Sequence, residues 1–134
     1  MPVRNGVENE AVAFVIRHLR ERERYAVEDV SRSGAHKGYD LIARKEGKEI
    51  KIEVKGCSVL WGIPDPYVTE FDEKTRRLVA DFLYVAYFIG NEPPRLCVIP
   101  RDAIDPDMVT PRYGYRISGK FKKESVMRKF LVPT

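Results

Sequence analysis

The stretch that most restricts the fold runs from Lys37 to Gly56, KGYDLIARKEGKEIKIEVKG. It reads as two antiparallel strands joined by a tight turn at Glu46-Gly47-Lys48, because alternating residues bounded by a glycine turn mark a hairpin. Side chains alternate across a strand. Ile50, Ile52 and Val54 therefore share one face, and Lys51, Glu53 and Lys55 share the other. Successive apolar residues on one side predict a face buried in a core. Asp40 heads the first strand, and folding about the turn brings it toward Glu53. Two carboxylates and one ammonium then gather at one end of the hairpin.

That grouping has a chemical use. Two carboxylates can hold a divalent metal such as Mg²⁺, which takes oxygen ligands and keeps several waters. The metal polarises a phosphoryl oxygen and lowers the pKa of a bound water. A lysine beside it can orient that water or stabilise charge building on the phosphate. These are the parts needed for phosphodiester hydrolysis. An E-x-K triplet alone is frequent, and it equally describes the charged outer face of an amphipathic hairpin. Asp40 at the head of the preceding strand, with the clean alternation, favours the site.

Gly38-Tyr39-Asp40 followed by Ile52-Glu53-Val54-Lys55-Gly56 resembles the PD-(D/E)xK nuclease superfamily, which includes restriction endonucleases and archaeal Holliday junction resolvases. The superfamily's proline is absent, since Tyr39 precedes Asp40. A closer resemblance is to the uncharacterised domain at the C-terminus of the plant protein NO VEIN, also found beside some helicase-like ATPases. It rests on an ordered series: Val7-Glu8 with Ala11-Val12, Val27 to Ser31, Gly38 to Asp40, Ile52 to Gly56, Thr69, Leu83 to Val85, and a late proline-flanked strand. The similarity covers roughly residues 5 to 106. It implies a restriction endonuclease-like fold, a mixed central sheet flanked by helices. It further implies Mg²⁺, with Mn²⁺ as a substitute, on Asp40, Glu53 and a helix glutamate, with the Val54 carbonyl contributing. A homodimer is implied by resemblance only.

The helix glutamate has two candidates. Residues 5 to 22 read as a helix with Asn5 as N-cap. Counting from Glu8, the residues Ala11, Val12, Val15, Ile16 and Leu19 recur at helical spacing, so Glu8 heads the apolar stripe. It can reach the metal from the first helix, or close a capping box with Asn5. Glu10 also lies in the first turns, but the helical wheel turns it away from the stripe.

At 134 residues the chain suits a single domain spanning 1 to 134. A composition of 43% hydrophobic and 33% charged residues is that of a globular protein. The net charge of +4 is compatible with nucleic acid without being diagnostic. Its two cysteines, Cys57 and Cys97, read as reduced buried thiols. No signal peptide or bilayer-spanning apolar run is apparent, which predicts a cytoplasmic location and no membrane.

Tyr25 to Val30 reads as the first strand, and the loop from Ser31 to Lys37 leads to Asp40. Arg32, His36 and Lys37 in that loop can touch phosphate near a metal, and His36 can assist proton transfer. His18 on the helix reads as structural. Trp61 and Tyr67, in a loop rich in glycine and proline, either stack on a base or cover the core. Thr69 with Asp72 resembles a cap, predicting a short helix over 70 to 80. Its Arg76 and Arg77 either approach DNA or balance Glu70, Asp72, Glu73 and Asp81. Phe82 to Ile89 is a continuous apolar run, as expected of a central strand buried on both faces. Arg95 to Ile99 is a further strand stopped by Pro100. The segment from Arg112 to Lys129 carries seven basic residues against the single acid Glu124, with Tyr113, Tyr115 and Phe121 interleaved. That pattern suits either a nucleic-acid backbone or a solvated final strand and helix.

The resulting expectation is an α/β domain acting as a metal-dependent endonuclease on DNA. Its catalytic set is Glu8, Asp40, Glu53 and Lys55, and a basic segment occupies 112 to 134. The alternative is a non-catalytic nucleic-acid-binding or partner-docking module on the same fold.

Overall fold

A computed structural model describes residues 6–31, 38–64, 70–111 and 115–133. Asn5, Arg32, His36, Lys37, Tyr67, Thr69, Arg112 and Tyr113, all singled out in the sequence, lie outside the described residues. Helix α1 spans Gly6–Glu21 and buries Ala11, Val12, Val15 and Leu19, the stripe that the helical spacing predicts. It ends where Arg24 takes a left-handed φ of 62° and the Tyr25 N–H donates back to the Leu19 carbonyl at 2.9 Å. That is the usual way a helix end satisfies its last carbonyls.

Strands β1 (Ala26–Asp29), β2 (Leu41–Lys45) and β3 (Lys48–Cys57) form an antiparallel meander. Glu46 and Gly47 connect β2 to β3, both with positive φ, 51° and 78°. Two left-handed residues in a two-residue loop match the twist of the flanking strands. Strand β4 (Phe82–Tyr87) then lies parallel to β3, and β5 (Arg95–Pro100) antiparallel to β4. The result is a five-stranded mixed sheet in the order β1-β2-β3-β4-β5. A parallel neighbour requires a crossover, and residues 58–81 supply it.

Each sheet face has its own core. Ile50, Ile52 and Val54 join Tyr84, Ala86 and Leu96 under α1. On the other side Leu83, Val85, Tyr87, Cys97 and Ile99 meet Phe71, Leu78, Phe121 and Met127. Strand β4 is buried on both faces, which is why its sequence is continuously apolar rather than alternating. The second face is covered by 3₁₀ turns, a small β6–β7 hairpin (Val109–Pro111, Tyr115–Ile117) and α2 (Glu124–Met127).

One expectation changes here, and open alternatives are decided. Residues 70–80 are not a helix: Phe71 and Leu78 pair across an antiparallel bridge. The Asp72 carboxylate accepts from the Lys74 and Thr75 N–H groups, at 2.9 and 3.0 Å, and Arg76 takes a φ of 58°. An aspartate bonded to the backbone just ahead makes a turn where a helix cap was expected. Phe121, one of the aromatics interleaved with the basic C-terminal residues, is buried and stacks on Phe130 at 5.9 Å. Trp61 is half-buried and meets the edge of Tyr87 at 6.2 Å, so it covers the core. His18 lies 2.9 Å from Glu23 and against the Tyr84 ring, a structural placement. Both cysteines are free thiols. No helix among the described residues is long and apolar enough to cross a membrane.

Candidate active site

The β2–β3 ladder pairs Leu41 with Ile52 and goes no further. Asp40, one residue earlier, donates its N–H to the Ile52 carbonyl at 2.9 Å. Beyond that point β3 loses its β2 neighbour while keeping β4 on its other edge. The Val54 N–H, left without a strand partner on that edge, donates to Asp40 Oδ2 at 2.9 Å. This bond turns the Asp40 carboxylate across onto β3, where it hydrogen-bonds Glu53. In a strand, the N–H and C=O of one residue lie on the same edge, so the Val54 carbonyl faces the Asp40 side as well.

Glu53 and Lys55 project onto the face opposite α1, as the alternation predicts, yet they are not surface residues. They are 4% and 5% exposed, because the crossover folds over them. That crossover delivers Glu70, itself 2% exposed. Lys55 Nζ lies 2.7 Å and 3.0 Å from the two Glu70 oxygens and 3.3 Å from Glu53 Oε2. Sequence reasoning set Glu70 among charges balancing nearby arginines. No local signal marks it, since its partner is 15 residues away and the contact exists only once the crossover closes.

The site thus holds three carboxyl groups, Asp40, Glu53 and Glu70, against one ammonium. Burial raises the Asp40 pKa, opposed by the Val54 N–H, the Glu53 hydrogen bond and the Lys55 charge. Burial, followed by the negative charges of Asp40 and Glu70, pushes Glu53 well above the usual carboxylate range. Burial also works against the Lys55 charge, but Glu53 and Glu70 outweigh it and hold the ammonium above its ordinary value. Lys55 is therefore charged at neutral pH. Acid is in excess, and the excess is concentrated on the Asp40–Glu53 pair.

Glu8 occupies the first turn of α1 and is half-buried. That turn is seated on β3: a Cβ added at Gly56 would meet the Val7 carbonyl at 2.9 Å and Ala11 Cβ at 3.0 Å. Glu10 is exposed, facing away as the helical wheel predicts. Among the described residues no three His, Cys, Asp or Glu side chains form a preassembled metal-holding group. Asp40 and Glu53 meet directly. Their donors are all oxygen, the set that Mg²⁺ or Mn²⁺ takes, and a divalent cation would offset the charge that burial leaves uncompensated. In this respect the residues fit the ion.

The family model described as the C-terminal domain of protein NO VEIN matches residues 7–96. This chain belongs to that family. Comparison with curated proteins and with solved structures gave no match. The matched span of the NO VEIN C-terminal domain contains Glu8, Asp40, Glu53, Lys55 and Glu70, and the whole five-stranded sheet up to the start of β5.

Proposed function

We propose that this domain is a metal-dependent nuclease of the PD-(D/E)xK type, on a restriction endonuclease-like fold, hydrolysing phosphodiester bonds in DNA. The observation that carries the reading is the Asp40–Glu53 contact, with Lys55 one position further along the same face of β3. Asp40 and Glu53 would hold Mg²⁺ or Mn²⁺, assisted by the Val54 carbonyl and by Glu8 from α1. The ion, when bound, polarises the phosphoryl group and acidifies a water.

The chain's own residues perform the remaining tasks. The Val54 N–H fixes the Asp40 carboxylate, so that little reorganisation is needed during reaction. Glu70 holds Lys55 in its charged form and aims it along the Glu53 side of the site. From there Lys55 stabilises negative charge growing on phosphate, as a donor that stays protonated. It does not serve as a proton acceptor, since both acids beside it favour its charged state. The closed Lys55–Glu70 pair also favours a second reading, a module that binds nucleic acid or a partner without turnover, in which Lys55 is purely structural.

Cleavage of plasmid, linear duplex, single strand and four-way junction with Mg²⁺ or Mn²⁺ separates the two. The nuclease reading requires metal-dependent cutting that disappears in Asp40→Ala, Glu53→Ala and Lys55→Ala. Absence of cutting on every substrate, together with no metal binding by calorimetry, leaves the binding module.

A further inference from the structure

We infer that a phosphate-binding cleft lies between the crossover and the turn that follows β5, formed by Arg77 and Arg101 and separate from the Asp40–Glu53 pair. The inference does not depend on the nuclease reading. Arg77 Nη1 is buried and has no hydrogen-bond partner among the described residues. Its nearest acid oxygen, Asp102 Oδ1, stands 3.6 Å away on a side chain that is 90% exposed. A buried guanidinium N–H without an acceptor is costly and uncommon. Arg101, across the same cleft, is also incompletely engaged. Its Nη1 reaches the Val79 carbonyl at 3.4 Å, and its Nη2 lies 3.6 Å from Asp81 Oδ1.

The cleft between them has a volume of about 410 Å³ and is also lined by Thr75, Asp72 and Asp102. Asp72 Oδ1 accepts from two backbone N–H groups; the acids that compete for the guanidinium groups are Asp102 at Arg77 and Asp81 at Arg101, each at 3.6 Å. A second cleft of about 350 Å³ shares Arg101 and Asp102 and continues past Asp81 toward Lys48 and Glu49, so its added lining is not basic overall and the phosphate site is the first cleft. The loop presenting Arg77 is held from both sides: Asp72 N–H donates to the Arg77 carbonyl at 2.7 Å, and Arg76 N–H to the Asp72 carbonyl at 2.8 Å. Two guanidinium groups on a pinned frame, one with a buried Nη1 that has only a loose 3.6 Å ion pair and no hydrogen bond, match a tetrahedral oxyanion. Guanidinium forks suit phosphate geometry. Bound phosphate would replace the loose Asp102 contact and supply the acceptor that Arg77 lacks. The phosphate can belong to a nucleic-acid backbone or be free.

The test uses the full chain in EDTA, so that failure of the metal site cannot affect it. Thermal shift measures inorganic phosphate binding against chloride at matched ionic strength, and anisotropy measures a short labelled duplex. Arg77→Gln and Arg101→Gln should each weaken phosphate binding by about tenfold, the scale of one charge-assisted hydrogen bond. Asp102→Asn should tighten it, because the carboxylate competing for Arg77 is gone. If the phosphate is that of a nucleic acid, Arg77→Gln also lowers the salt dependence of duplex binding by about one ion. If it is free, duplex binding is unchanged while phosphate binding falls. Phosphate binding no better than chloride, or indifferent to both arginine substitutions, or weakened in Asp102→Asn, overturns the inference. Should either arginine variant fail to fold, the Asp102→Asn result decides alone.

Discussion

Two glutamates touch the Lys55 ammonium, and neutralising them one at a time should give unequal results. Glu70 is the closer partner, at 2.7 and 3.0 Å against 3.3 Å for Glu53. Glu70→Gln strips the buried lysine of its main counter-charge. Breaking a buried pair costs about 3–5 kcal/mol, while a charged hydrogen bond contributes about 1.5–3 kcal/mol net. Part of this is returned, because Glu70 also repels Asp40 and Glu53, and the amide can still accept one bond. A net loss of about 2 kcal/mol follows. Glu53→Gln weakens the longer contact to Lys55, keeps an amide donor for Asp40 and Glu70 and removes the acid whose charge is least tolerated, so stability should stay within about 0.5 kcal/mol of wild type or rise.

Urea unfolding at pH 7 in EDTA measures both, and a separation of about 2 kcal/mol corresponds to roughly 8 °C in Tm. The pH dependence has a definite sign. The folded pKa of Glu53 is raised, so between about pH 4.3, the unfolded value, and that raised value the folded state binds the extra proton. Wild-type stability therefore falls as pH rises through this window. Glu53→Gln lacks that fall, so its relative advantage should appear at pH 7 and fade toward pH 4. A Glu53→Gln variant as destabilised at pH 7 as Glu70→Gln would refute the charge accounting at this site.

Three further outcomes are expected. Mn²⁺ or Mg²⁺ at a hundredfold over Kd should stabilise the wild type by about 2.7 kcal/mol; Asp40→Asn should abolish the shift, and a shift surviving that substitution would place the ion elsewhere. Gly56→Ala brings a methyl within 2.9 Å of the Val7 carbonyl and 3.0 Å of Ala11, so it should lose about 1–3 kcal/mol by overpacking; an unchanged urea midpoint would mean the first turn of α1 is not seated on β3. Leu19→Ala, at a fully buried position, should cost about 2–5 kcal/mol, whereas Val59→Ala at 66% exposure should fall within about 0.5 kcal/mol of wild type; equal losses in thermal unfolding would contradict the assigned core.

Much of the frame was legible in the chain because local rules set it. The helical stripe ending at Leu19, the turn at Glu46-Gly47, the alternation from Ile50 to Lys55 and the apolar run from Phe82 each follow from a fixed side-chain period, and each element formed as read. Asp40 opposite Glu53 is likewise a matter of register, which the turn fixes. The crossover was not legible. Capping chemistry at Asp72 can open a helix or close a turn, and the bridge between Phe71 and Leu78 decided for the turn. Burial of Glu53 and Lys55, the pairing of Lys55 with Glu70 and the withdrawal of Phe121 into the core all depend on what lies over the second face of the sheet. Sequence pattern determines which side of a strand a residue faces. Only the tertiary fold determines whether that side meets water or another layer, and here the covering layer made a charged face into a buried cluster of two glutamates around one lysine, with half-buried Asp40 beside it.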